Sequence, residues 1–258
     1  MKHLAASTGH KLKLTAIFGA VLALGVGVAS VDSTATTKPR DVDTIYDFYL
    51  GGIKAGELSI DADMKGDRYH ATSILRTAGI VGFVYKASFE AETEGRLTSA
   101  GFEPVRFLAD SRMRTKEQRV EMRYANNAPQ QVLAQPKFDP RPWQIEPSEQ
   151  VGALDPITAA ISALAPMPKA QICNRTVEVF DGRRRYAVDL GAPVKDGKRI
   201  KCKAMYRRIA GFKPKMMKKR PKFPFNIWYE ERADGLAHVV RGAGDSMFGL
   251  AVILLRDR

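Results

Sequence analysis

The chain has 258 residues, 41 Lys and Arg against 28 Asp and Glu, a formal charge of +13, and two cysteines. That length suffices to bury a core, and no repeat with a period of 20 to 50 residues marks a solenoid or propeller. The basic balance alone would suggest a nucleic-acid partner, a reading that the N-terminus removes.

Residues 1–35 have the layout of a secretory signal. A short basic region holds Lys2, Lys11 and Lys13, an apolar run extends from Leu14 to about Val28, and small and polar residues follow, with cleavage expected after Ser30 or Ala35. A retained anchor is the competing reading, because the run to Val31 approaches the roughly 20 apolar residues that span a bilayer. Three glycines and two polar residues dilute it. A lipid anchor would need a cysteine directly after the run, and the first is Cys173. Cleavage leaves 223 residues and, since it removes three lysines and one aspartate, a charge of +11. An exported basic protein meets phospholipid headgroups, lipopolysaccharide and wall polymers, so nucleic acid is not expected as a partner.

Residues 36–43 read as a flexible polar leader (Thr36, Thr37, Lys38, Pro39, Arg40), and a single β-rich domain is expected over residues 44–258. Its dominant signal is alternation with period two, the mark of half-buried strands. Phe83, Tyr85, Ala87, Phe89 and Ala91 share one face over residues 83–93, against Lys86, Ser88, Glu90 and Glu92. The same pattern sets Leu58, Ile60 and Ala62 against Ser59, Asp61 and Asp63, and Val120, Met122 and Tyr124 against Arg119, Glu121 and Arg123. Hairpin turns are expected at Gly51-Gly52, Lys65-Gly66-Asp67, Asn126-Asn127, Asp181-Gly182, Asp196-Gly197 and Asp234-Gly235.

Pro136, Pro140, Pro142 and Pro147 cannot donate to a ladder, so residues 135–150 read as a surface connection. Trp143 within it either stands out as a recognition anchor or folds back over a barrel mouth. One helix follows, capped by Asp155, started by Pro156, with Ile157, Ile161 and Leu164 on one face and Pro166 as its stop. The expected fold is mainly β: a curled antiparallel sheet, an open barrel or β-spiral of about a dozen strands, with one short helix plugging or covering a mouth. Such a sheet can enclose an apolar cavity, although packed side chains are the commoner filling of small barrels.

Cys173 and Cys202 form an even pair in an oxidising compartment, and a disulfide is expected. A strict meander would hold them two strands apart, too far for a bridge. Cys173 must therefore sit at a strand entrance bent over its neighbour, or the strand order departs from a meander.

Little catalytic chemistry is legible. Only His70 and His238 remain after the signal, at no metal-ligand spacing with the cysteines, and no G-x-S-x-G elbow is present. Glu90, Glu92, Glu94, Asp61 and Asp63 lie on polar strand faces, which do not raise a carboxyl pKa. No catalytic residue, metal site or cofactor is expected. The strongest compositional feature is basic: thirteen Lys or Arg and one acid, Asp196, between Lys195 and Lys222. Within it the Lys213 to Lys222 segment, expected as a loop, mixes Lys213, Lys215, Lys218, Lys219, Arg220 and Lys222 with methionines and prolines. It reads either as an anionic-membrane contact or as a solubilising edge.

The run Val177-Glu178-Val179-Phe180-Asp181-Gly182-Arg183-Arg184-Arg185-Tyr186, then Cys202 and Tyr206-Arg207-Arg208-Ile209-Ala210-Gly211-Phe212, resembles the bacterial exported proteins of domain of unknown function family 3108. Tyr46 to Gly56 and Asp155-Pro156 are similar too. The resemblance implies a periplasmic, β-rich envelope protein and carries no catalytic residues. The expected function is a non-enzymatic periplasmic protein that supports envelope integrity by binding a protein, a wall polymer or a lipid, with no transmembrane segment after cleavage. The alternatives are a carrier of a lipid or lipoprotein acyl chain in an apolar cavity, and a hydrolase.

Overall fold

The computed structural model describes residues 41–84, 86–246 and 249–256. The expected signal, both expected cleavage points and most of the expected leader lie outside them. Thirteen strands follow in chain order: β1 (Val42–Leu50), β2 (Ile53–Lys65), β3 (Arg68–Thr77), β4 (Ala87–Thr98), β5 (Gly101–Met113), β6 (Lys116–Ala125), β7 (Ala128–Gln135), β8 (Arg175–Phe180), β9 (Arg185–Asp196), β10 (Arg199–Ala210), β11 (Lys222–Glu231), β12 (Ala237–Ser246) and β13 (Gly249–Leu255). The short helices are α1 (Gly79–Val84), α2 (Pro156–Leu164) and α3 (Pro214–Lys219). All the strands join one sheet in the order β7-β6-β5-β4-β3-β2-β1-β13-β12-β11-β10-β9-β8, and every pair is antiparallel. Two meanders, β1 to β7 and β8 to β13, are thus stitched together by the first and last strands.

The turn residues act as their chemistry requires. Asn126 and Asn127 both take positive φ, 53° and 57°, as a two-residue hairpin loop of this twist demands. β1 reaches back to Val42, which is buried, so residues 42 and 43 belong to the sheet and not to the leader.

Two further departures from the sequence reading concern helices. The parity of Phe83 with Phe89 does not continue a strand. Gly79–Val84 is a one-and-a-half-turn helix, and β4 begins only at Ala87. The run is apolar on both parities, so period two had no polar partner residues there to test it. The second departure is Pro214–Lys219, which is helical where a loop was expected. Proline at its start and lysines in its last turn are both favourable.

The sheet curls without closing. Its free edges are β7 and β8, and residues 136–174 fill the seam between them. Gly152 N donates to Asn127 O at 2.8 Å, Leu154 N donates to Glu178 O at 2.9 Å, and Phe180 N donates to Leu154 O at 2.8 Å. A three-residue stretch therefore ties both edges and satisfies backbone groups that an open edge would expose. α2 lies inside the curl, with Ile157, Thr158, Ala159 and Ile161 buried. One apolar cluster packs α2 against β2 to β6 through Ile60, Ala71, Phe107 and Met122, and against β8 through Phe180. A second, around Tyr46, Cys202, Ile227 and Tyr229, fills the β9 to β13 half, and Leu164 packs against both. Between them these side chains occupy the interior.

Cys173 and Cys202 are bridged, with their Cα atoms 5.7 Å apart. The strand order here is a plain meander, and the bridge exists because Cys173 precedes β8 and bends over β9. Asn174 takes φ 55° and donates its N–H to Gly191 O at 3.2 Å. The β9–β10 register shifts between Cys202 and Ala204, which shortens the span.

Candidate functional site

Strand direction gives the sheet two ends. At one of them lie the turn of residues 181–184, the end of β10, α3, the start of β11 and the proline-rich connection. Lys213, Lys215, Lys218, Lys219, Arg220 and Lys222 are all exposed there; among the described residues none of them forms a salt bridge, and Lys222 stands near enough to Asp189 to act on its carboxyl. Three other cations of the basic stretch pair with acids, Arg199 with Glu230, Lys201 with Asp196, and Arg207 with Asp189 through two hydrogen bonds of 3.1 and 3.2 Å, while Lys195, Lys198 and Lys203 are exposed and form no salt bridge among the described residues. The Arg207 guanidinium is the main cause that holds the Asp189 carboxyl below its usual pKa. Six exposed cations without a salt bridge thus lie together on and beside α3.

The helix is held from below by Arg208. Its Nη1 donates to Met216 O at 3.1 Å and to Arg220 O at 2.8 Å, which supplies the carbonyls a helix end leaves without partners. Arg208 shares parity with Cys202 and Ala204, so it turns into the mouth of the curl. There an arginine–aromatic stack replaces aliphatic packing. Arg208 lies 5.2 Å from the Phe212 ring and 4.7 Å from Phe223, Arg220 lies 4.5 Å from Phe223, and Arg184 lies 5.5 Å from Phe212. Tyr186, Tyr206 and Phe223 continue it across β9, β10 and β11, with ring centroids 5.0 and 5.7 Å apart. Cation–π pairing lets guanidinium groups sit against apolar surface at modest cost.

Beside this mouth, along edge strand β7, is a half-open recess of about 470 Å³, lined by Trp143, Phe138, Val132, Arg141, Arg183 and Lys137 among others. Trp143 is half-buried, with the Arg141 guanidinium 6.0 Å from its ring, and Arg183 stands 4.3 Å over Phe138. Burial is the main cause that lowers the Arg183 pKa, and the like charges of Arg141 and Arg184 add to it. Two glycines allow the close approach. A Cβ on Gly211 (φ +81°) would lie 2.2 Å from Arg183 O, and one on Gly182 (φ +92°) would lie 3.0 Å from Val120 Cγ1. The quoted runs 181–186 and 206–212 therefore meet at this mouth.

The remaining titratable candidates are dispersed. His70 on β3 is exposed between Asp63 and Glu94 of the adjacent strands. His238 on β12 pairs with Asp234 at 3.0 Å. Among the described residues no group of three His, Cys, Asp or Glu is placed to hold a metal. Glu90 and Glu92 are bound by Arg76 and Arg106.

One buried acid was legible only as a cap. Asp155 is wholly buried. Its Oδ1 accepts from Ile157 N and Thr158 N, both at 2.9 Å, and its Oδ2 accepts from the Thr158 and Thr93 hydroxyls. Tyr69 extends the network, its hydroxyl 2.8 Å from that of Thr158. Burial raises the Asp155 pKa, opposed by these hydrogen bonds. Both carboxylate oxygens are engaged and Asp155 lines none of the recesses described here, so it fastens α2 to β3 and β4.

A curled, helix-filled antiparallel sheet, β-barrel-like but unclosed, is the class of protein these features define. Residues 45–255 match the family model described as Protein of unknown function (DUF3108), and the chain belongs to that family. Among solved structures it is similar to the crystal structure of a β-barrel-like protein of domain of unknown function DUF1849 from Brucella abortus. That match has 12% identity and a TM-score of 0.45, and covers 85% of this chain and 97% of the other. No curated protein matches.

Proposed function

We propose that this chain is a non-enzymatic periplasmic protein that supports the cell envelope by holding an anionic partner at the basic mouth. The observation that carries this reading is the exposed lysine and arginine group of Lys213 to Lys222, without a salt bridge among the described residues, set on an arginine–aromatic mouth over a filled interior. A filled interior favours binding on the surface over binding inside the sheet. The disulfide is compatible with an oxidising compartment, as is the leader pattern of residues 1–35. The test is deletion of the gene in its host. Detergent sensitivity should rise and be restored by the natural chain, but not by one carrying Lys215→Glu, Lys218→Glu and Lys219→Glu. An unaltered envelope under stress would overturn the proposal.

A carrier role is favoured by one feature only, a half-open recess of about 760 Å³ at the other end of the seam, lined by Leu97, Phe102, Leu154, Met167 and Val177. That volume lies in the range of ligand pockets. Solvent extraction of the purified chain should release lipid if the recess carries one, and lipid-free protein would remove this reading.

A further inference from the structure

The end of the sheet that carries α3 also presents apolar side chains to solvent. The Gly51-Gly52 turn, α1, the turn after Met113 and the start of β13 all lie at that end by strand direction. At or next to them Phe83 is 89% exposed, Ile53 and Met113 are each 54% exposed, and Leu250 is 46% exposed, while Met216 of α3 is exposed as well. Backbone bonds tie these connections to the neighbouring strands. Gly51 N donates to Leu250 O at 2.9 Å, Ala78 N donates to Ala55 O at 3.0 Å, and Arg114 N donates to Lys86 O at 3.1 Å.

The opposite end is an internal comparison. Its turns, Gly66-Asp67, Ser99-Ala100, Asn126-Asn127 and Gly197-Lys198, include none of the exposed large hydrophobic residues among the described ones, while Val151 (56% exposed), next to the Gly152 that bonds Asn127, and Val194 (42%), near the end of β9, are the exposed ones close to them. Apolar tips on separate connections, at the end that also carries the six exposed cations on and beside α3, match the interfacial zone of an anionic bilayer. Phosphates there attract lysine and arginine, and the acyl boundary accepts apolar side chains. An acidic protein with an apolar patch is the competing occupant, which indifference to anionic vesicles would favour.

We infer that this end docks on an anionic lipid surface, with Phe83, Ile53 and Leu250 entering the headgroup and acyl boundary and the α3 lysines contacting phosphates. The inference rests on the reading that this end binds an anionic partner, and names that partner as a bilayer. No helix among the described residues is long and apolar enough to cross a membrane, so the attachment inferred is to the interface.

The test is co-sedimentation of the exported chain with vesicles of phosphatidylcholine alone and of phosphatidylcholine mixed with phosphatidylglycerol. Binding is expected to the mixed vesicles only. Phe83→Ser combined with Ile53→Ser should weaken it about tenfold or more, since two exposed apolar side chains lose their burial in lipid. Lys215→Glu with Lys218→Glu and Lys219→Glu should abolish it, and Val194→Ser, near the opposite end, should leave it unchanged. Thermal unfolding of each variant, all substituted at exposed positions, checks that the fold is intact. Indifference of the natural chain to mixed vesicles would overturn the inference, as would full binding by the Phe83 and Ile53 variant. Either result would leave the envelope function standing, because that is read from detergent sensitivity in cells.

Discussion

Asp155 shows how one residue can cap a helix and fasten it into a sheet. Asp155→Ala removes the acceptor for two backbone N–H groups and two buried hydroxyls, and a loss of about 2 to 3 kcal/mol is expected in chemical denaturation. Its pKa is raised in the folded state, so the sign of its pH effect is fixed. Below the unfolded pKa both states carry the proton and the folded state bears no penalty. As pH rises through the folded pKa, ionising the buried group costs stability, and Asp155→Asn should flatten that part of the stability curve. Glycines are separable in the same way. Gly211→Ala meets the Arg183 carbonyl and should cost about 3 kcal/mol. Gly235→Ala, with similar φ and nothing within 4 Å of the added Cβ, should cost about 1 kcal/mol.

At the scale of elements, α3 depends on a side chain from β10. Arg208→Ala should speed hydrogen exchange at residues 213–220 while leaving β10 protected, because the helix loses the donor to its last carbonyls. The bend of Cys173 over β9 is held by its bridge. Reduction should lower stability by about 3 to 4 kcal/mol, read from denaturation with and without reductant.

These elements also show which parts of the fold a sequence exposes. β2 and β6 were legible because their polar and apolar residues alternate, and the six expected turns because glycine and asparagine occupy them. α1 was not, since Gly79–Val84 lacks any polar residue to reveal a period. The cationic group could be read as charge, and its partners could not. Which lysines and arginines are neutralised depends on Glu230 and Asp189, brought alongside by strand pairing. The Asp155 network joins residues 62 positions apart, so only its local half, the helix cap, could be read from the chain.

Considered whole, the molecule is a sheet that needs its own connection to complete it. Residues 152–154 tie β7 to β8, and α2 gives both halves a common filling. Disrupting that plug with Ile161→Asp should therefore unfold both halves together, giving one transition by fluorescence and by circular dichroism. The central pairing of β1 with β13, Tyr46 opposite Leu255, bears on the order in which the chain can fold. The β1 to β7 meander can form from local hairpins, but its first strand finds its second partner only when the last seven residues of the sheet have arrived. Closing so long a loop is slow, and until then β1 is a bare edge able to pair with another chain. A chain threaded across a membrane from its N-terminus would pass through that state on every journey, and removing residues from 249 onward should arrest it there as an aggregating half-sheet.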